Sequence, residues 1–299
     1  QIAWRLNIAN ADLRKRKQSA TDYDVAFLQA YRFVELGMGE ILVRYWCYRT
    51  SKWVYAIMEG PSYGQQVCMK IWKTTHGTYL ERRLGFREVQ NQQSVYRNEQ
   101  LDLTVICHVD DPWIDVGLGG AENYEGKTQE QIDIELTAKE DALHAALNER
   151  FKTKGKKQLK ANEPALDYLS MIVQTPDDCC IEINTDPYKR TVLETFDMTD
   201  CKPASTPVTK DLFRDIKLDV EAGKFLDKEE TRNYQKATGI FNWNSQTIGV
   251  DTMLASSLAG KYNSKPVEAC NALIKHMVRY IAGTIGQTLR NHPDSGNTL

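Results

Sequence analysis

No stretch of this sequence approaches the ~20 consecutive apolar residues that a bilayer span requires, and no charged-then-apolar segment opens it in the manner of a secretory signal. The expectation is an intracellular protein, cytoplasmic or nuclear, not secreted and with no membrane partner. Clustered metal ligands are missing too. The seven cysteines, at 47, 68, 107, 179, 180, 201 and 270, form no Cys-x-x-Cys pair, and the five histidines are equally scattered. That spacing argues against a His/Cys zinc site and against a disulfide framework, so reduced thiols are expected, with Cys107 a small buried hydrophobe. Basic excess is absent as well: the net charge is -2. Any grip on nucleic acid therefore has to come from local clusters. Residues 150–160 supply one, with six positive charges and no acid, and Arg82, Arg83 and Arg87 supply another. A lysine-rich surface loop is an equally good reading of the first.

What is present is an ordinary globular composition, 41% hydrophobic and 26% charged over 299 residues, without repeats or low-complexity tracts. The length suits two domains, placed at 1–187 and 188–299 because the pattern turns helical after Pro187. Residues 1–20 read as a helix and 22–29 as a strand leading into a turn. Short strands are expected at 41–44 and 53–57, a helix at 67–84, and paired strands over 94–107 about Asn98-Glu99. An amphipathic helix follows at 130–151, burying Ile132, Ile134, Leu136, Leu143, Leu147 and Phe151. Strands at 166–172 and 179–183 are joined by a polar turn around Asp177-Asp178. Helices are expected at 188–197, 230–248, 251–261 and 266–283, with residues 211–230 a charged connection. The fold class is α+β.

The chemistry concentrates in Leu103-Thr-Val-Ile-Cys-His-Val-Asp-Asp-Pro-Trp-Ile114. A β-branched apolar run reads as a buried strand, and ending it on Asp110 and Asp111 places two carboxylates at a hairpin tip. Such a tip suits a hard divalent cation, although a solvated turn is the simpler use of two aspartates. A two-ion site for in-line phosphoryl displacement, with the ions roughly 3.5–4 Å apart, needs a third carboxylate. Asp22 is the candidate, because Ala26-Phe27-Leu28 can bury one face and leave it at the exposed end of the element.

These residues carry a family resemblance. Asp22-x-x-x-Ala26-Phe27-Leu28 and Val109-Asp110-Asp111 resemble the two acidic motifs of copia-type retrotransposon reverse transcriptases. Further blocks follow in the family's order: Pro61-Ser-Tyr-Gly64 with Lys70-x-Trp72, Leu84-Gly-Phe86, Phe151-Lys-Thr-Lys-Gly155, Tyr168-Leu-Ser-Met171, Met198 to Pro207, and Arg279-Tyr-Ile-Ala-Gly-Thr284.

The resemblance implies a right-hand polymerase palm, an antiparallel sheet with helices and partial fingers, followed by a helical thumb or connection region. It implies RNA-directed DNA polymerase activity, with Asp22, Asp110 and Asp111 binding two Mg²⁺ or Mn²⁺ ions. Phe27, Gln66 and Lys70 would lie against the incoming deoxynucleotide, and Tyr168, Leu169, Ser170 and Met171 would hold the primer end. Arg150, Lys152, Lys154, Lys156 and Lys157 would meet the backbone of an RNA or DNA template with its primer. The chain departs from the family at His108, where tyrosine is usual, at Pro112, where an aliphatic residue is usual, and at Lys70, where arginine is usual. The family's triphosphate-gripping fingers segment and its RNase H domain are not matched, which implies an incomplete hand that extends primers poorly. The alternative is a non-catalytic, retroelement-derived subunit that binds protein partners. The oligomeric state is left open.

Overall fold

The computed structural model describes residues 12–39, 41–177 and 180–291. They divide into two units, one running to Lys160 and the other beginning at Ala161.

The first unit is built on a six-stranded antiparallel sheet. Its strands are β1 (Arg16–Ala20), β4 (Arg87–Glu88), β5 (Val95–Asn98), β6 (Leu103–His108), β7 (Asp111–Gly117) and β8 (Lys157–Leu159), in the order β4-β5-β6-β7-β1-β8. The two short strands expected at 41–44 and 53–57 are present as β2 (Ile41–Cys47) and β3 (Lys52–Met58), which pair with each other as a separate hairpin. Two helices, α1 (Cys68–Leu84) and α2 (Gln129–Arg150), pack on the sheet. Alternate residues of β6 and β7, Leu103, Val105, Ile114 and Val116, join Leu80 of α1 and Ile132, Leu136, Leu143 and Leu147 of α2 in one core. Helix α2 begins at a capping box, the Thr128 hydroxyl accepting from Gln131 N–H while the Gln131 side chain accepts from Thr128 N–H.

Several expectations fail here for identifiable reasons. Residues 16–20 form β1, not the end of a helix: β1 is hydrogen-bonded to β7 on one side and β8 on the other, and Gln18 and Ser19 are fully buried. Pairing on both edges overrides a helical pattern; residues 1–11 of that expected helix lie outside the described residues. The strand expected from Asp22 stops short. After an isolated bridge between Tyr23 and Thr153 the chain turns at Val25 (φ 48°) into a 3-10 turn over Ala26–Gln29. Ile134 is 62% exposed, because the buried stripe 132, 136, 140, 143, 147 puts it on the other side of α2.

At the sheet end farther from the acids, the Arg16 guanidinium bridges Asp102 (2.9 Å) and the buried Asp115 (2.6 Å), so three strand ends share one charged clamp. Gly117 makes room for it, since a Cβ there would meet the Asp102 carboxylate.

The second unit has its own four-stranded antiparallel sheet: β9 (Leu166–Tyr168), β10 (Met171–Gln174), β11 (Ile181–Asn184) and β12 (Leu289–Asn291), ordered β12-β11-β10-β9. The single strand expected at 166–172 is a hairpin, because Leu169 and Ser170 both take left-handed backbone (φ 52° and 61°) and reverse the chain between β9 and β10. The turn about Asp177 is polar as expected, its carboxylate accepting from Cys180 N–H at 2.6 Å, while Asp178 and Cys179 lie outside the described residues. Helices α3 (Asp186–Thr195), α4 (Lys210–Glu221), α5 (Lys228–Gln246), α6 (Met253–Lys261) and α7 (Glu268–Gly283) follow. Their core is centred on Tyr234, Phe241, Leu273, Met277 and Val278. Helix α4 replaces part of the expected charged connection. Only Ile216 on it is fully buried, so its apolar stripe is hidden among charges, and Thr209 caps it through Leu212 N–H. The division falls at 160/161, not 187, because among the described residues β9, β10 and β11 pair with one another and with β12, not with the first sheet.

Mixed α and β structure with antiparallel sheets is thus the architecture of the chain. Among the described residues no helix is long and apolar enough to cross a membrane.

Candidate metal and nucleotide site

The acidic turn is short because β6 and β7 pair up to His108 and Asp111, leaving Val109 and Asp110 as a two-residue loop. Val109 takes φ 57°, a conformation that a β-branched side chain adopts only under constraint. The constraint is visible: Trp72, buried on α1, donates its indole N–H to the Val109 carbonyl at 2.6 Å. Around Trp72 lies a box of rings. Tyr23 meets it edge-on at 5.3 Å, Phe151 at 5.2 Å, and the Tyr23 hydroxyl is hydrogen-bonded to His76 Nε2 at 2.8 Å. Burial holds the His76 imidazole neutral, with its pKa lowered to about 3, and pushes the neighbouring Cys107 thiol well up. Cys107 is partly buried and forms no disulfide.

The backbone carries Asp22 to the acidic turn. Thr21 N–H donates to the Pro112 carbonyl (3.3 Å) and Tyr23 N–H to the Asp110 carbonyl (2.9 Å), so Asp22 sits between two bonds that continue the β1–β7 ladder. Proline is tolerated in β7 because its carbonyl is what the neighbouring strand uses. The carboxylates feel one another: burial and then Asp110 and Asp22 raise the pKa of Asp111. Tyr63, 55% exposed, is drawn into the same field. Desolvation, then Asp110 and Asp22, raise its phenol, and its ring lies 4.8 Å from that of Phe27. Tyr63 belongs to the site's surroundings, yet the sequence marked it only as part of a motif; its place becomes apparent when the turn before α1 folds back onto Phe27.

A lysine is seated among these acids. Lys154 Nζ is 2.7 Å from Asp22 Oδ2, and that bond, with Asp24 and Asp110 nearby, raises the lysine's pKa. Among the described residues no group of three acidic, histidine or cysteine side chains is drawn together around a metal-sized space.

Other expected site residues fall in varied places. Phe27 is 8% exposed in a cluster with Tyr23, Ala26, Cys68, Trp72 and Phe151. Gln66 and Lys70 are exposed, and among the described residues neither bonds to the acids. Gln65, not Gln66, is the glutamine that shapes this turn, accepting from Ser62 N–H at 3.1 Å. Lys70 lines a cavity of about 370 Å³ with Trp72, His76, Cys107 and Val109. The basic segment is largely paired: Lys152 with Asp24 (2.8 Å), and Lys156 with the fully buried Glu140 (2.8 Å) and with Asp141 (2.5 Å). Arg150 lies over the Phe151 ring, and Lys157 is exposed on β8 close enough to Asp111 to oppose its raised pKa. Tyr168, Leu169, Ser170 and Met171 form the β9–β10 hairpin of the second unit, with Tyr168 and Met171 buried.

No family model matches the chain, and a search of curated proteins finds no match. The chemistry of the acidic turn is what speaks for function.

Proposed function

We propose that the first unit is the palm of an RNA-directed DNA polymerase of the copia retrotransposon type, acting with RNA or DNA template, primer and deoxynucleoside triphosphates. The observation that carries this reading is the pair of backbone bonds, Thr21 to Pro112 and Tyr23 to Asp110, that sets Asp22 beside the Asp110–Asp111 turn. Three carboxylates, one just past the end of β1 and two at the β6–β7 turn, suit hard divalent ions by donor chemistry, and the pKa of Asp111 is raised first by burial and then by the charges of Asp110 and Asp22, which such ions would offset. Asp22, Asp110 and Asp111 would hold two Mg²⁺ or Mn²⁺ ions. Bound there, the ions would acidify a primer 3′-hydroxyl and neutralise the charge of departing pyrophosphate. Trp72 fixes the turn from behind through Val109, while Phe27 and Tyr63 offer rings on which a sugar and base can rest. Lys154 would leave Asp22 and be freed to meet a phosphate.

The second reading is a non-catalytic retroelement-derived subunit that binds protein partners. One observation favours it: the Lys154 ammonium already neutralises Asp22. Primer extension separates the two. The polymerase reading expects template-directed incorporation in Mg²⁺ that is lost in Asp110→Asn. Absence of incorporation, even with Mn²⁺ bound, would leave the subunit reading.

A further inference from the structure

The C-terminal ends of α1 and α2 meet away from the acidic turn. They are joined where the Tyr79 hydroxyl donates to the Ala146 carbonyl at 2.5 Å. Beside this bond opens a cavity of about 630 Å³ whose lining includes Arg82, Arg83, Arg150, Tyr31, Tyr79 and a single acid, Glu149. Three guanidiniums against one carboxylate leave the lining positive.

Two ordinary explanations for such arginines do not account for these. Several cations elsewhere in the unit are held by carboxylates, Lys17 by Asp133, Lys73 by Glu88, Lys152 by Asp24, Lys154 by Asp22 and Lys156 by Glu140, while others, such as Lys70 and Arg87, stand singly on the surface among the described residues. Arg82, Arg83 and Arg150 also make no ion pair among the described residues, not even with Glu149 beside them. Nor are they needed as caps for the helix ends. The Leu80 carbonyl accepts from Phe86 N–H (3.1 Å), the Leu84 carbonyl from the Asn98 amide (3.0 Å), and the Leu147 carbonyl from Phe151 N–H (2.9 Å). Arg150 is also held in place, its guanidinium 4.9 Å from the centre of the Phe151 ring. The Tyr79 phenol, pushed up first by burial, also feels Glu149, Arg83 and Arg150, all of which line the same cavity.

We propose that this cavity binds a small organic phosphate carrying at least two negative charges, gripped by Arg82, Arg83 and Arg150. Planar guanidinium forks match phosphate oxygens two at a time. The volume falls in the usual range for a ligand pocket and suits a nucleotide-sized molecule, with the tyrosines beside the cationic rim available to a flat ring. A terminal phosphate dianion can enter a cavity, whereas a duplex presents its single-charged diesters along a ridge. The site requires no metal, which separates it from the carboxylates of the acidic turn.

Calorimetric titration of the full chain in metal-free buffer, with adenosine 5′-diphosphate and with inorganic pyrophosphate as probes, tests the proposal. One site is expected, with affinity reduced about tenfold or more in Arg83→Gln and in Arg150→Gln and only partly kept in Arg83→Lys. Asp110→Asn should bind the probes as the unaltered chain does. These arginines are at least partly exposed, so their replacement should leave the circular dichroism spectrum and the unfolding midpoint in place. No binding of either probe would overturn the proposal. So would binding insensitive to both arginine substitutions, binding lost in Asp110→Asn, or binding of a nucleic-acid duplex to these arginines with neither probe bound.

Discussion

Trp72 and Val109 are joined by a 2.6 Å hydrogen bond from indole N–H to carbonyl, and this bond couples helix α1 to the turn that carries Asp110 and Asp111. Val109 is held in left-handed backbone that its branched side chain resists, so the bond offsets a local cost of order 1–3 kcal/mol. Trp72→Phe keeps most of the ring packing and removes the donor. Chemical denaturation should show a loss of about 1–2 kcal/mol, and Mn²⁺ affinity should fall as the turn loosens. Undiminished stability together with undiminished metal affinity would show that the bond does not position the turn.

Lys156 and Lys157 are neighbours with different expected roles. Lys156 faces Glu140, which is fully buried and has Gln158 (3.0 Å) as its other side-chain partner, whereas Lys157 is exposed. Lys156→Ala strands a buried carboxylate and should cost about 3–5 kcal/mol of stability. Lys157→Ala should leave the unfolding midpoint within measurement error and, if the segment meets a phosphate backbone, flatten the salt dependence of duplex binding by about one unit. The converse pattern would exchange the two assignments.

His76 gives the first unit a pH dependence. Its imidazole is buried, with a pKa of about 3 against an ordinary value of 6.5, so below pH 6.5 the unfolded chain takes up a proton that the folded chain refuses. Stability is therefore full above about pH 6.5 and falls as pH drops toward 3, by up to about 1.4 kcal/mol per pH unit from this group. Between pH 6.5 and 4.5 the unaltered protein should lose roughly 2 kcal/mol more than His76→Gln in urea titrations. Parallel losses in the two proteins would mean that His76 can be protonated in place.

The acidic turn was legible in the sequence because a β-branched run ending in two aspartates allows few structures, and β6, β7 and the two-residue loop follow from it. The α1 and α2 helices were legible through their apolar spacing and came within two residues at each end. Ile134 was misplaced because its apolar character cannot by itself tell which side of α2 the core lies on. Strand β1 was hidden for a different reason: Gln18 and Ser19 are polar and are buried only because β7 and β8 flank them, a fact of long-range pairing. The same holds for the lysines. Residues 150–160 contain no acid, yet Lys152, Lys154 and Lys156 find carboxylates contributed by residues 22, 24, 140 and 141, which no local reading could pair.

Asp22 and Lys154 decide between the polymerase palm and the non-catalytic subunit, and calorimetric titration with Mn²⁺ addresses them most directly. The palm predicts binding that weakens about tenfold or more in Asp110→Asn and tightens in Lys154→Ala, where the competing ammonium is removed from Asp22. Equal Mn²⁺ affinity in the unaltered protein, Asp110→Asn and Lys154→Ala, or no binding in any of the three, would contradict it.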